Sequence, residues 1–188
     1  MNEIDYSEWK KEKINGEIYY MSPSANPKHS RIIGRLHHLF YNYLNNKTCE
    51  VFTDNIDVYL DEESNNYVMS DLSVLCDKDK FSDKGYHGVP SLIVEVISPT
   101  SIKRDKIQKF KLYEKFGVKE YWLVDYNSQS IEQYILIDGK YEALNIVTLI
   151  DEYDYNNRLT EDERKEYSTL INVNIFDNLI IDIKDIFK

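Results

Sequence analysis

The sequence predicts a mixed α/β fold, in which helices pack on a sheet of parallel and antiparallel strands (an α+β mixed sheet). Asn15-Gly16 between two apolar runs predicts an N-terminal β-hairpin. Ser24-Ala25-Asn26-Pro27 is typical of a helix start, and residues 27–46 repeat apolar side chains at helical spacing. A strand, a helix and a strand within 91–125 form a crossover unit, so we expect those two strands to lie parallel.

The crossover unit also predicts the centre of the sheet. Residues 91–98 carry apolar side chains on both alternating faces, as a strand covered on both sides does. Residues 101–116 then form an amphipathic helix that ends at Gly117, and the partner strand follows at 120–125.

Shorter apolar runs predict the remaining strands. Three of them look like an antiparallel meander, at 51–53, 56–60 and 67–75. Two more, joined by a turn at Asp138-Gly139, lie at 130–137 and 141–150. The acidic stretch 151–167 predicts a solvated loop or a short surface helix, and the apolar alternation of 171–186 indicates a segment that packs back on the body.

Composition limits the class of protein. The 188 residues are 42% apolar and 13% aromatic, enough for a sizeable core and unlike a collagen-like or Pro/Gly-rich chain. The length predicts a single domain over 1–188, with 151–188 as an acidic C-terminal elaboration that packs on the core. A net charge of −10 disfavours a general polyanion coat, although a local basic surface could still bind nucleic acid.

Cysteine usage and the N-terminus indicate the compartment. Cys49 and Cys76 are too few for a disulfide scaffold and lack CxxC spacing, so we expect two reduced thiols. The N-terminus is charged and lacks the apolar core of a secretory signal, and no segment has the length of a membrane span. We therefore expect a cytoplasmic protein without membrane contact.

Two acids lie within strand-forming runs. Glu95 is surrounded by apolar residues of the predicted central strand, where burial opposes its charge, so a cation partner, a metal ion or a raised pKa must compensate. Alternatively, Glu95 lies at the strand end and reaches water or pairs with a lysine. Asp71 alone could be an ordinary edge aspartate, but two carboxylates on adjacent strands could converge on a hard cation such as Mg²⁺.

Charged residues on the predicted helices supply a second pattern. Asp105 and Lys109 are four residues apart and share a helix face, as in an ordinary ion pair, yet Lys109 could also aim its ammonium at the pocket beside Glu95. Cations outnumber acids in 28–49 and in 98–120, whereas acids dominate 151–188. A phosphate-contacting face is feasible, and solvated lysines would look the same.

Several motifs together are shared with a known family. They are Asn15-Gly16-Glu17, Met21-Ser22-Pro23, His29, Ser70-Asp71-Leu72-Ser73-Val74, Leu92-Ile93-Val94-Glu95-Val96-Ile97-Ser98-Pro99-Thr100, Asp105, Lys109, Tyr113 and Gly117-Val118-Lys119-Glu120-Tyr121-Trp122-Leu123-Val124-Asp125. Over about residues 9–150 the chain resembles the Uma2 family (DUF820) of restriction-endonuclease-like proteins, in the PD-(D/E)XK nuclease superfamily.

The resemblance implies a restriction-endonuclease-like core and a metal site built from the motif acids. Asp71 matches the aspartate of the PD element, and Glu95 matches the acid of the second element. Lys109 matches a lysine moved onto the following helix, because Ile97 occupies the usual lysine position in the strand. His29 matches a histidine of the first helix.

The resulting hypothesis is a metal-dependent endonuclease that hydrolyses nucleic-acid phosphodiester bonds, DNA rather than RNA. Asp71, Glu95 and the backbone carbonyl of Val96 would hold Mg²⁺ or Mn²⁺, and Lys109 would orient a water or stabilise charge. Ser70 stands where the family has proline, which alters the backbone before Asp71 but removes no ligand.

Two other functions stay open. One is a catalytically inactive nucleic-acid or protein-binding module that retains the nuclease core, suggested by the acidic net charge and the missing lysine in the strand. The other is a structural subunit in which Asp71 and Glu95 form ion pairs with Lys109. A homodimer is compatible with each of the three functions.

Overall fold

A computed structural model of the chain describes residues 9–21 and 26–188. Its strands are β1 (Lys11–Ile14), β2 (Glu17–Tyr20), β3 (Glu50–Thr53), β4 (Val58–Tyr59), β5 (Tyr67–Val68), β6 (Leu72–Leu75), β7 (Phe81–Ser82), β8 (Gly85–His87), β9 (Leu92–Ile97), β10 (Glu120–Asp125), β11 (Ser130–Ile137), β12 (Lys140–Thr148), β13 (Leu170–Asn172) and β14 (Ile180–Asp182). Its α-helices are α1 (Pro27–Leu44), α2 (Phe110–Phe116), α3 (Glu152–Asn157), α4 (Glu161–Glu166) and α5 (Lys184–Phe187).

The central sheet confirms the predicted mixed α+β fold. Its strand order is β12-β11-β10-β9-β6-β3, with β9 parallel to β10 and antiparallel to β6. Every residue of β9 is buried, because one hydrophobic cluster covers each face of the sheet. A second sheet, with the order β2-β1-β5-β4-β8-β7, starts from the predicted hairpin.

Local signals account for the hairpin and the first helix. Asn15 and Gly16 both have positive φ (51° and 84°), as a two-residue hairpin turn requires. The Asn26 side chain accepts a hydrogen bond from the Lys28 N–H at 2.9 Å, and Pro27 opens α1. Ser24-Ala25, which we included in the predicted cap, lies outside the described residues.

The predicted antiparallel meander is right for β4 and β5, which pair antiparallel, and wrong for β3, which does not pair with β4. β3 pairs with β6 in the central sheet, whereas β4 pairs with β5 in the second sheet. The predicted strand 67–75 is divided into β5 and β6. Between them, hydrogen bonds between backbone and side chains take the place of backbone pairing with a neighbouring strand. The Met69 N–H donates to Glu12 at 3.1 Å, and Asp71 accepts the Val96 N–H at 2.7 Å.

The crossover helix differs from an ordinary α-helix in its first half. Residues Arg104–Lys109 form a π-helix that continues into α2. Gly117 ends the helix in the left-handed conformation (φ 86°), as predicted. Asp105 and Lys109 of the π-helical part are both buried beneath the helix.

The C-terminal segments also follow the predictions. β11 and β12 are the two strands predicted on either side of Asp138-Gly139 and pair antiparallel, and 151–167 holds the two short surface helices α3 and α4. Apolar residues of β13, β14 and α5 join the core cluster that also buries α1. None of the helices in the described part of the chain is long and apolar enough to cross a membrane.

The expected reduced thiols are wrong as well. Cys49 and Cys76 form a disulfide, with 3.9 Å between their Cα atoms. The β3–β6 register pairs Glu50 with Leu75, so the two cysteines face each other one step beyond that pair. This proximity depends on a strand pairing that cysteine spacing does not reveal.

Candidate active site

Asp71 and Glu95 lie on the same side of the central sheet. The antiparallel register pairs Leu72 with Val94, and one further step puts Asp71 opposite Glu95. Directly opposed residues of an antiparallel pair project to one face. Both acids line a cavity of about 300 Å³, which His29, Val96 and Lys109 also line.

The backbone of Val96 and the imidazole of His29 hold Asp71. Its Oδ2 accepts the Val96 N–H at 2.7 Å and lies 3.2 Å from Nε2 of His29, in the first turn of α1. The N–H and C=O of one strand residue point to the same strand edge. The Val96 carbonyl therefore points towards the gap that opens where β6 ends, beside Asp71.

Glu95 is tied to the crossover helix. Its Oε1 accepts hydrogen bonds from Nζ of Lys109 at 3.0 Å and from the Tyr113 hydroxyl at 2.8 Å. Glu95 is only 3% exposed, so it does not reach water from a strand end. The structure thus brings Lys109 to the acid of the strand although the strand itself carries Ile97.

Glu12 is a third buried acid, beside Lys109, and the sequence analysis did not identify it. Glu12 on β1 is 0% exposed, and its Oε1 lies 2.6 Å from Nζ of Lys109. Its Oε2 lies 3.8 Å from Nε of Arg104. The alternation of side chains along the strand could have indicated its burial, because Glu12 shares a strand face with the buried Ile14.

Among the described residues, Lys109 forms its ion pairs with Glu12 and Glu95 and not with Asp105. Asp105 is buried nearby, and burial raises the pKa of its carboxyl group. Its backbone carbonyl accepts the Tyr121 hydroxyl at 3.1 Å. The ion pair between Asp105 and Lys109 within the helix is therefore not formed. Lys109 instead pairs with Glu12 of β1 and Glu95 of β9.

The cluster is electrostatically acidic. Burial raises the pKa of Glu95 well above its usual value; Lys109 opposes this rise, and the charges of Asp71, Asp105 and Glu12 add to it. Burial disfavours charged Lys109, but Glu12 and Glu95 outweigh burial and raise its pKa. One ammonium thus faces several carboxylates, and this is an environment that favours additional positive charge.

The pKa of His29 depends chiefly on burial and on Asp71, with a smaller contribution from the charge of Asp54. Burial disfavours the charged imidazole, but the hydrogen bond to Asp71 and the charge of that carboxylate outweigh burial. A hydrogen bond to the Val96 backbone contributes in the same direction, so the pKa is raised. A protonated His29 would donate from Nε2 to Asp71 and hold the carboxylate in place.

The donor set fits a hard divalent cation. Hydrogen bonds from described residues use Oδ2 of Asp71 and Oε1 of Glu95, which leaves the second oxygen of each carboxylate for a ligand. The described residues contain no group of three or more His, Cys, Asp or Glu side chains that could together hold a metal ion. Mg²⁺, however, commonly binds one or two carboxylates and keeps several waters.

The comparisons with known proteins agree with this fold. The chain superposes on a crystal structure described as a putative nuclease belonging to DUF820 from Anabaena variabilis, with a TM-score of 0.70, 98% of this chain and 93% of that chain covered, and 18% identity. This likeness shows a shared mixed α+β fold.

The sequence comparisons identify the family. The Uma2 family, described as "Putative restriction endonuclease", matches residues 1–162. Two uncharacterised proteins of Synechocystis are each 32% identical: slr1290 over 69% of this chain and 71% of its own length, and sll1609 over 66% and 71%. The chain therefore belongs to the Uma2 family of restriction-endonuclease-like proteins, as its motifs indicated.

Proposed function

We propose that the protein is a divalent-metal-dependent endonuclease that hydrolyses phosphodiester bonds of nucleic acid, with DNA as the first substrate to test. The observation that carries the proposal is the pairing of Asp71 with Glu95 across adjacent strands, in one cavity that Lys109 also lines. Family membership supports the nuclease class. The excess of carboxylates around one lysine supports the requirement for a cation.

The oxygens of Asp71 and Glu95 and the Val96 carbonyl would hold Mg²⁺ or Mn²⁺. When bound, such an ion lowers the pKa of a coordinated water and offsets negative charge on the phosphate. His29 keeps Asp71 oriented through its 3.2 Å contact, and Tyr113 keeps Glu95 oriented through its 2.8 Å hydrogen bond. The two carboxylates are thereby prevented from rotating away from the cavity.

Lys109 acts as a fixed cation in this proposal. Its raised pKa keeps the ammonium protonated, so it donates hydrogen bonds to the attacking water or to a phosphate oxygen and does not accept a proton. Glu12 acts through Lys109 as a positioning residue, because it binds the same ammonium at 2.6 Å from the other side.

Cleavage by purified protein tests the proposal directly. Supercoiled plasmid and single-stranded RNA are incubated with Mg²⁺ or Mn²⁺, or with EDTA. We expect metal-dependent cleavage that Asp71→Asn and Glu95→Gln each lower by about 100-fold or more, since each substitution removes a charged ligand. Glu161→Gln, an exposed change on α4, is the matched control and should cut at the wild-type rate.

Metal binding gives a second readout that does not need turnover. Titration calorimetry with Mn²⁺ should show binding to the wild type and to Glu161→Gln, and strongly weakened binding to Glu95→Gln. A saturating ion at about 100 times its Kd stabilises the folded state by about 2.7 kcal/mol, which thermal unfolding detects. Cleavage that persists in EDTA, or equal activity of Glu95→Gln and wild type, contradicts the proposal.

One of the two arguments for an inactive binding module is weaker once the structure is known. Its argument from the missing lysine in the strand weakens because Lys109 of the helix reaches Glu95 at 3.0 Å. The acidic net charge remains. A binding module would bind DNA equally well with EDTA and with metal and would leave the DNA intact, so the same assays distinguish the two functions.

A further inference from the structure

A second cavity lies beside the candidate active site and has the opposite charge. It measures about 170 Å³ and is formed by the side of α1, by Tyr126 and Gln129 after β10, and by the end of α5. The cationic residues that line it are Lys28, Arg31, Arg35 and Lys188. No acidic residue is found among its described lining residues. This cavity is called the basic cavity below.

The basic cavity adjoins the cavity of the candidate active site, which is called the acidic cavity below. Tyr126 lines both cavities, and successive residues in the first turn of α1 are divided between them. His29 contacts Asp71 in the acidic cavity, while Lys28 lines the basic cavity. A chain-like ligand that leaves the acidic cavity on the α1 side therefore meets the basic cavity next.

Two cations of the basic cavity are available for a ligand. Arg35 donates to the backbone carbonyls of Ile186 at 2.8 Å and Lys188 at 2.6 Å, and Lys188 pairs with Asp185. Lys28 and Arg31, in contrast, are exposed and form no ion pair with any described residue. Unpaired cations grouped on one helix face stand out in a chain whose net charge is −10.

We infer that the basic cavity binds the phosphodiester backbone of the substrate strand next to the phosphate that is cleaved. This inference rests on the proposed nuclease function and adds the direction in which the strand leaves the active site, along α1 from His29 towards Arg35. A nucleic-acid strand carries one phosphate for every nucleotide, so a strand held at Asp71 and Glu95 needs cations alongside. Lys28 and Arg31 contact phosphates, and Arg35 fixes the wall of the cavity.

The test is the salt dependence of binding. Fluorescence anisotropy with a short DNA duplex and an RNA duplex of the same sequence, in EDTA over a series of KCl concentrations, gives the number of phosphate contacts. For Lys28→Gln/Arg31→Gln we expect affinity to fall by about tenfold or more at low salt, and the slope of log K against log[KCl] to shrink by about 2. The charge-retaining Lys28→Arg/Arg31→Lys variant should keep the wild-type slope.

A matched double variant controls for net charge. Arg158→Gln/Lys165→Gln removes two cations from the acidic α3 and α4 segment, where they pair with Asp154 and Asp162, and should leave the slope unchanged. An unchanged slope for Lys28→Gln/Arg31→Gln, or a wild type that binds neither duplex, overturns the inference. The proposed function is judged separately, since metal-dependent cleavage by the wild type can persist when the slope does not change. Binding of only one duplex identifies the nucleic acid that uses the cavity.

Discussion

Two glutamates buried in neighbouring strands of the central sheet show how differently a fold can treat the same side chain. Glu95 on β9 and Glu120 on β10 are 3% and 0% exposed, and burial raises the pKa of both. They face opposite sides of the sheet. Glu95 lies on the face of Ile93 and Ile97, and Glu120 on the face of Trp122, in the other hydrophobic cluster.

The partners of Glu120 are neutral donors. Its Oε1 accepts hydrogen bonds from Nε1 of Trp122 at 2.7 Å and Nε2 of Gln133 at 2.6 Å, and its Oε2 accepts the Ile175 N–H at 2.9 Å. These bonds tie the C-terminal segment to the sheet. Glu95 instead shares a lysine with Glu12 and lines a cavity together with Asp71. A buried carboxylate surrounded by neutral donors fixes structure, whereas one that adjoins other acids and a cavity is available for chemistry.

Removing the Glu120 side chain should have the largest effect on stability. Glu120→Ala removes the acceptor used by two buried side-chain donors, those of Trp122 and Gln133, and by the half-buried Ile175 N–H, and we expect a loss of about 3–5 kcal/mol in the free energy of unfolding. Urea denaturation followed by circular dichroism measures it. Glu95→Gln should cost much less stability, because Lys109 keeps Glu12 as a partner, although it removes cleavage.

Glu120→Gln is a milder substitution that can be measured if Glu120→Ala does not fold. It keeps one acceptor oxygen and loses mainly the bond to Ile175, so a loss of about 1–2 kcal/mol is expected. Its cleavage rate below the unfolding transition should equal that of the wild type. Reduced cleavage in a fully folded Glu120→Gln protein would mean that Glu120 also contributes to activity, and would contradict the assignment of a structural role to Glu120 and a chemical role to Glu95.

Glu12→Gln tests whether Glu12 contributes to cleavage by positioning Lys109. The substitution keeps an acceptor for Lys109 and Met69 but removes the charge, so we expect kcat to fall by about 10- to 100-fold while Mn²⁺ affinity falls far less than in Glu95→Gln. Steady-state kinetics and titration calorimetry together separate the two quantities. Glu17→Gln, an exposed change on the other strand of the hairpin, is the matched control.

A purely structural Glu12 would give a different pattern. Stability would fall and kcat of the folded protein would stay at the wild-type value. Loss of Mn²⁺ binding in Glu12→Gln would also contradict a role through Lys109, because it would place Glu12 among the residues that hold the ion.

The sequence predicted what depends on near neighbours in the chain. The hairpin follows from Asn15-Gly16, the central strand from apolar residues on both faces of 91–98, and the helix end from Gly117. Asp71, Glu95 and Lys109 were found from short motifs, and they do line one cavity. Each of these features is encoded by residues a few positions apart, where periodicity and turn chemistry are informative.

Contacts between distant segments were not predicted, because periodicity does not specify which strands pair. Glu12 reaches Lys109 only after β1 of the second sheet packs under the crossover helix. The Cys49–Cys76 disulfide depends on the pairing of β3 with β6, which the expected meander did not include. The burial of Glu120 also depends on distant segments, since Gln133 and Ile175 contact it from two other parts of the chain.

The smallest expected effect is a pH dependence that belongs to Glu120. Burial raises the pKa of this group in the folded protein above its unfolded value of 4.5, so the folded state binds a proton at a pH where the unfolded state does not. Stability contributed by this group therefore rises as pH falls through the folded pKa and becomes constant below about 4.5. Unfolding free energies of wild type minus Glu120→Gln, measured from pH 7 to pH 4, should increase as the pH is lowered, whereas Glu161→Gln should follow the wild type. Parallel curves for wild type and Glu120→Gln would contradict this prediction, because they would mean that the three hydrogen bonds offset the burial of the charge completely and leave the pKa of Glu120 the same in the folded and the unfolded protein.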